Sequence, residues 1–301
     1  MATFSPTDAG MSGFRLAMAN PRIVGIWGVV LAAVSLVVSA LTIVTVGPSL
    51  AELQDPAVSA DPETSLRLLG VVGPFYLGLM LFFLLYYGVV LGAVNRLVLR
   101  PGDRASAYLR LGGDEWRLIL LMIIQAVLGG LAMTASLIPM IALIAGAAAG
   151  GSGALSAVGG VVGVLFAVAL MAFLTVRFSL AASQTFDTGR LNVFGSWTLT
   201  RGRFWPLVGA YLLAFVLYVV VYLVFMVVMS LLAIALGGGL AGVTTLFQPN
   251  MSDIGAFFTP MMILYTVAGG FLSAIGMLIL YGPAATVYRD LVKPQDVDVF
   301  D

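Results

Sequence analysis

Arg177 stands inside the apolar run Phe173-Leu174-Thr175-Val176-Arg177-Phe178-Ser179-Leu180. A guanidinium in such surroundings needs a counter-charge, a carbonyl or a phosphate. Two readings fit: an anion or lipid-headgroup site, or a structural charge that snorkels to the membrane surface. Its candidate partners are Gln125, the Tyr86/Tyr87 pair, carbonyls freed at a Gly or Pro break, and a lipid phosphate. A second concentration of chemistry is Ser196-Trp197-Thr198-Leu199-Thr200-Arg201-Gly202-Arg203-Phe204-Trp205-Pro206. Here Trp197, Arg201, Arg203 and Trp205 either bind anionic headgroups or a protein partner, or they anchor a helix at the membrane boundary. Arg110, Trp116 and Arg117 form a similar group ahead of another apolar segment. The adjacent carboxylates Asp114 and Glu115 follow two glycines at the start of that segment. They read as a complement to the helix dipole, paired with Arg110 or Arg117, rather than as an acid/base couple.

What is missing narrows the chemistry further. The chain has no His and no Cys, which removes His- and Cys-built zinc sites, Ser-His-Asp and Cys-His nucleophile systems, thiol redox chemistry, iron-sulfur clusters and disulfides. No metal or cofactor is expected, and no nucleophile-base pair is legible, so an enzyme is not expected. The glycines between Gly146 and Gly163 form no phosphate loop, because the Lys of that motif is absent. Fourteen Lys and Arg balance fourteen Asp and Glu, leaving no basic excess for nucleic acid.

The elements that hold these residues are membrane spans. Of 301 residues 61% are hydrophobic and 9% charged, with a mean hydropathy of +1.09, whereas about 25% charged is usual in soluble domains. Six stretches supply the roughly 20 apolar residues that a crossing needs: Ile23 to Val46, Leu68 to Val94, Leu118 to about Ala145, Leu155 to Ala182, Leu207 to Leu236, and Met261 to Val287. The expectation is an all-α, single polytopic membrane domain over 1–301. Arg15 and Arg22, then Arg96, Arg100, Arg104, Arg110 and Arg117, then Arg190, Arg201 and Arg203, then Arg289 and Lys293 all fall on one side of this layout. Only Arg67 falls on the other, so both termini are expected to be cytoplasmic. A cleaved signal peptide ending near Ser39 is the alternative for the first span, set against an apolar run that continues past it. Asn250-Met251-Ser252 matches a glycosylation acceptor, a pattern short enough to arise by chance. Thirteen Arg to one Lys, with abundant Ala, Gly and Val, hints at a bacterial source.

The chain also resembles itself. Tyr108-x4-Gly113-x2-Trp116-x-Leu118 recurs as Trp197-x4-Gly202-x2-Trp205-x-Leu207. Val94-Asn95-Arg96-Leu97-Val98-Leu99-Arg100-Pro101 recurs as Val287-Tyr288-Arg289-Asp290-Leu291-Val292-Lys293-Pro294. This predicts three parallel repeats, over about 11–101, 102–190 and 191–294 with a short tail at 295–301. Each would consist of an interfacial amphipathic helix followed by a helical hairpin. The helix faces would be Phe14, Ala17 and Met18; Ala105, Tyr108 and Leu109; and Val193, Phe194 and Trp197. Pro139 and Pro283 are candidate kinks.

Val176-Arg177-Phe178-Ser179-Leu180-Ala181, followed by the Ser196 to Trp205 segment, resembles the membrane domain attached to some bacterial glycerophosphoryl diester phosphodiesterases, and related stand-alone six-helix proteins. The resemblance covers about 40 residues closely. It implies a bacterial inner-membrane fold without the phosphodiesterase reaction, which in that family belongs to a soluble domain using His and metal-binding carboxylates. The functional expectation is a non-catalytic scaffold or lipid-interacting accessory with an Arg- and Trp-rich cytoplasmic rim. Its partners would be membrane lipids, anionic headgroups among them, or a protein at the cytoplasmic face. The alternative is a transporter or lipid-translocating protein in which Arg177 contacts an anionic substrate or headgroup.

Overall fold

The computed structural model describes residues 4–53, 61–236 and 239–292. Among these residues the chain is helical with no strands, and six helices are long and apolar enough to cross a membrane. They are α2 (Pro21–Leu53), α3 (Pro62–Leu99), α4 (Gly113–Ala149), α5 (Gly153–Phe178), α8 (Phe204–Leu236) and α11 (Pro260–Val292). Shorter helices flank them: α1 (Pro6–Ala19), α6 (Ala181–Thr188), α7 (Gly195–Thr200), α9 (Leu240–Phe247) and α10 (Ile254–Phe257). The spans begin where sequence supplies a start signal. Asp61 caps α3 with Pro62 at its first position, and Ser152 caps α5 after the turn at Gly150 and Gly151. A 33-residue helix measures about 50 Å at 1.5 Å per residue, so the longer spans tilt within, or extend beyond, a hydrocarbon core of about 30 Å. The helices continue through Pro139 and Pro283, and likewise through Pro48 and Pro74.

Of the three hairpins only α4–α5 packs mainly on itself. α11 lies at the centre, against α1, α2, α3 and α8, and α2 packs far more closely on α11 than on α3. Glycines set these approaches: a Cβ on Gly270 would come within 2.5 Å of the Ala32 backbone nitrogen, and one on Gly13 within 2.2 Å of the Leu278 carbonyl oxygen. Where no hydrophobic force separates helix from lipid, such close backbone contact supplies the association. The α4–α5 hairpin closes on itself, with Gly163 seated on Met140.

Burial is concentrated toward one end. One core cluster joins Ala17, Trp27, Leu31, Val94, Tyr108 and Leu278, and a second joins Val176, Leu180, Leu207, Ala210, Val287 and Tyr288. Both gather where the chain enters α2, leaves α3, enters α8 and leaves α11, which is also where the arginines collect. Along the other half of the bundle Leu66, Leu77, Leu131, Leu155 and Leu231 are exposed.

The flanking elements differ from the three amphipathic helices expected. α1 is a helix, but it buries Ala9, Gly10, Ser12, Gly13 and Ala17 against α8 and α11 and leaves Met18 exposed. Its small-residue side therefore docks on protein. The segment Ala105–Tyr108 is a short 3-10 turn, with Ser106, Ala107 and Tyr108 at φ of 51°, 50° and 69°. No helix face passes through Ala105, Tyr108 and Leu109. In the third copy Val193 and Phe194 precede α7, which is six residues long.

Candidate functional site

The Arg-rich end is held by interlocking ion pairs. Arg96, in the last turn of α3, is completely buried and pairs with Glu115 of α4, itself 1% exposed. The same guanidinium donates to the Tyr108 carbonyl at 2.6 Å and lies 5.4 Å from the Phe186 ring of α6. The left-handed turn is fixed from three sides. Tyr108 is buried, its hydroxyl donates to the Pro101 carbonyl at 2.9 Å, and Trp27 of α2 donates to the Ala107 carbonyl at 2.8 Å. Positive φ at three consecutive non-glycine residues is costly, and it persists because these bonds over-determine it. Arg100 sits 4.5 Å over the Phe186 ring, donates to the Phe186 carbonyl at 2.8 Å and pairs with Asp114 at 3.0 Å. On α11, the Tyr288 hydroxyl donates to Asp187 of α6 at 3.2 Å.

These contacts locate the first group of candidates. Arg117 pairs with Asp114 at 2.8 Å, as its spacing suggests. Arg110 does not reach Asp114 or Glu115, because the turn directs it back to Asp103 at 2.6 Å. Trp116 faces outward, 54% exposed. The partner of Glu115 is Arg96, which looks in the sequence like any other arginine of the positive side.

Arg177 is in the last turn of α5, which stops at Phe178. Ser196 makes the break possible: its hydroxyl donates to the Arg177 carbonyl at 2.7 Å and accepts the Leu180 amide at 3.1 Å. The Arg177 guanidinium lies among three rings, 5.2 Å from Phe173, 5.5 Å from Trp197 and 5.8 Å from Phe204, and donates to the Thr200 hydroxyl at 3.3 Å. An aromatic cage of this kind stabilises a cation without a carboxylate. Gln125 does not partner it; its amide nitrogen points to the Phe178 carbonyl at 3.5 Å. Arg203 donates to the Leu199 carbonyl at 3.2 Å, Arg201 is exposed, and Trp205 is 76% exposed. The second motif thus divides into a cage (Trp197 and Phe204) and an outward rim (Arg201 and Trp205).

Close to the cage, lined by Val176 and Phe178 on either side of Arg177 in sequence, is a cavity of about 630 Å³. It lies in the gap between the α4–α5 hairpin and the α8–α11 pair, with the last turns of α3 as one wall. It exists because α5 and α8 touch little and because small residues, Gly129 and Ala284, face it. Its surface is mainly apolar, with Asn95, Gln125, Ser179 and Tyr211 among the polar side chains. Tyr211 donates to the Ser179 hydroxyl at 2.8 Å, and Ser179 donates to the Val176 carbonyl at 2.8 Å. Asn95 is 1% exposed; its amide nitrogen donates to the Leu91 carbonyl at 2.8 Å, and its Oδ1 has no hydrogen-bond partner. An acceptor buried without a donor costs roughly 1–3 kcal/mol. Of this group only Gln125 was singled out by sequence. A lone Asn near the end of an apolar helix was the available signal for Asn95, hidden by its place in a repeated motif.

No family model, curated protein or solved structure matches the chain.

Proposed function

We propose that this is a non-catalytic, lipid-interacting membrane protein that accommodates a lipid-like molecule in the cavity between the α4–α5 hairpin and α8–α11. The cavity carries the reading: about 630 Å³ is the scale of a small-ligand site, and a mainly apolar surface with a few placed polar groups is the usual composition of one. Its location beneath an outward rim of Arg201, Trp205 and Trp116 supports entry from the adjoining lipid, with the rim engaging anionic headgroups. In this reading the protein is a scaffold or accessory of the bacterial inner membrane, with both termini cytoplasmic. The one-sided arginines and the motif shared with the phosphodiesterase membrane domain support that placement, and the recurring motifs ahead of α4 and α8 support descent from a repeated hairpin.

Native mass spectrometry of protein extracted gently from its own membrane tests this. Gly129 lines the cavity and a Cβ added there meets only Met171 Cε at 3.9 Å, so Gly129→Phe introduces a ring at the cavity wall. A lipid-mass adduct present in the wild type and lost in Gly129→Phe is expected, and identical adducts on both proteins would sink the reading. Lipid translocation is the second reading, favoured by the loose meeting of α5 and α8, where a lipid could cross between separate hairpins. Headgroup flipping in reconstituted vesicles, abolished by Gly129→Phe, would be its signature.

A further inference from the structure

The cavity wall holds hydroxyl protons that nothing accepts. Thr175 on α5 and Tyr281 on α11 line it from the two sides of the gap, and neither donates to any described group. Both side chains are accessible, with Thr175 exposed and Tyr281 38% exposed. Ser183 adds a third open hydroxyl, but at 1% exposure it is enclosed by protein, so the accessible pair carries the argument. A hydroxyl on a spanning helix can satisfy itself by donating to the carbonyl four residues back, as Thr134 does on α4 and Thr266 on α11. Thr175 makes no such bond. Inside a bilayer no water replaces it, so an open donor there costs free energy until an acceptor arrives.

The same wall carries no charge. Among the described residues that line it there is no Asp, Glu, Lys or Arg. A phosphate or carboxylate seated against it would lack a counter-charge, and a hydrocarbon would fill the volume while leaving both protons open. An alcohol can accept, but it brings a further proton that the wall must also take up. An ester brings acceptor oxygens alone.

We infer that the occupant is an uncharged, ester-bearing lipid, with its apolar chain in the cavity and its ester oxygens accepting from Thr175 and Tyr281. This rests on the cavity reading and names the ligand class of the same site: the rim meets anionic headgroups, and the cavity takes a neutral lipid.

Three probes of similar chain length separate the possibilities: methyl oleate, the alkene of equal length and oleyl phosphate, each bound to the full-length protein in detergent and followed by native mass spectrometry. The wild type is expected to hold the ester roughly tenfold more tightly than the alkene, the worth of one or two hydrogen bonds, and the phosphate more weakly than the ester. Thr175→Val and Tyr281→Phe each remove one donor at nearly constant shape. Each should reduce the preference for ester over alkene, and the double variant should abolish it, with alkene affinity unchanged. Gly129→Phe should weaken ester and alkene alike. Equal wild-type affinity for ester and alkene, tighter binding of the phosphate, or a preference that survives in the double variant overturns the ester assignment, and the cavity reading stands if Gly129→Phe still weakens binding. Binding of all three probes that Gly129→Phe does not change removes both. The comparison among probes on the wild type decides the matter even if the double variant folds poorly.

Discussion

Arg96 and Glu115 form a buried ion pair whose two members depend on each other more than the fold depends on either. Removing one partner strands a charge in a dry site, whereas replacing both with apolar groups of similar size removes the problem. Arg96→Met and Glu115→Leu are therefore each expected to cost about 3–5 kcal/mol, and the double variant far less than their sum. Thermal unfolding in detergent of the four proteins checks this. Sequence could not identify the pair, because five arginines between Arg96 and Arg117 carry the same charge and only the folded turn decides which is enclosed. For Arg177 the sequence offered Gln125 and the Tyr86/Tyr87 pair as partners, whereas the rings around it are Phe173, Trp197 and Phe204, brought together by the helix break that Ser196 bridges. Its cage predicts that Arg177→Ala lowers the melting temperature, at a cost of about 1–2 kcal/mol. The lipid adduct seen by native mass spectrometry should be unchanged, since Arg177 is not among the residues that line the cavity. A loss of binding in that variant would mean the cage and the cavity act as one site.

At the scale of elements, the spans were legible and their neighbours were not. A helix that is apolar all round carries no stripe that names its buried face, so nothing in the composition of α2 said that it would choose α11 over α3. The information lay in single glycines, and their contexts differ sharply. Gly270→Leu would drive a side chain into the backbone at Ala32 and is expected to unfold the protein at markedly lower temperature. Gly70→Ala on α3 is the control: nothing lies within 4 Å of the added Cβ, so a change near zero, or a gain of up to about 1 kcal/mol from helix propensity, is expected in the same assay. The flanking helices were the least legible elements. The short spacing of Ala105, Tyr108 and Leu109 matches a helix, but it is overridden by the bonds that Arg96 and Trp27 make to the turn. Tyr108 has the right character for an interface and is used instead as a core residue.

Across the whole molecule, the native chain contains no cysteine, which makes its sidedness simple to measure. Arg104→Cys and Ser252→Cys place single thiols at the Arg-rich end and the opposite end, and a membrane-impermeant maleimide added to intact cells should label Ser252→Cys alone. Labelling of Arg104→Cys alone would invert the proposed orientation. The count of spans and the clustering of charge follow from solvent physics that acts on each residue independently, so both can be read along the chain. The cavity arises from how loosely α5 meets α8, a property of two segments that no local pattern encodes. The central position of α11 sets an order on biogenesis. The helix on which α1 and α2 close begins only at Pro260, whereas α2 ends at Leu53, so while the intervening spans are made the first spans reside in the bilayer without their principal contact. Until α11 is made, the nascent protein presents to membrane proteases and chaperones a surface that the folded bundle conceals.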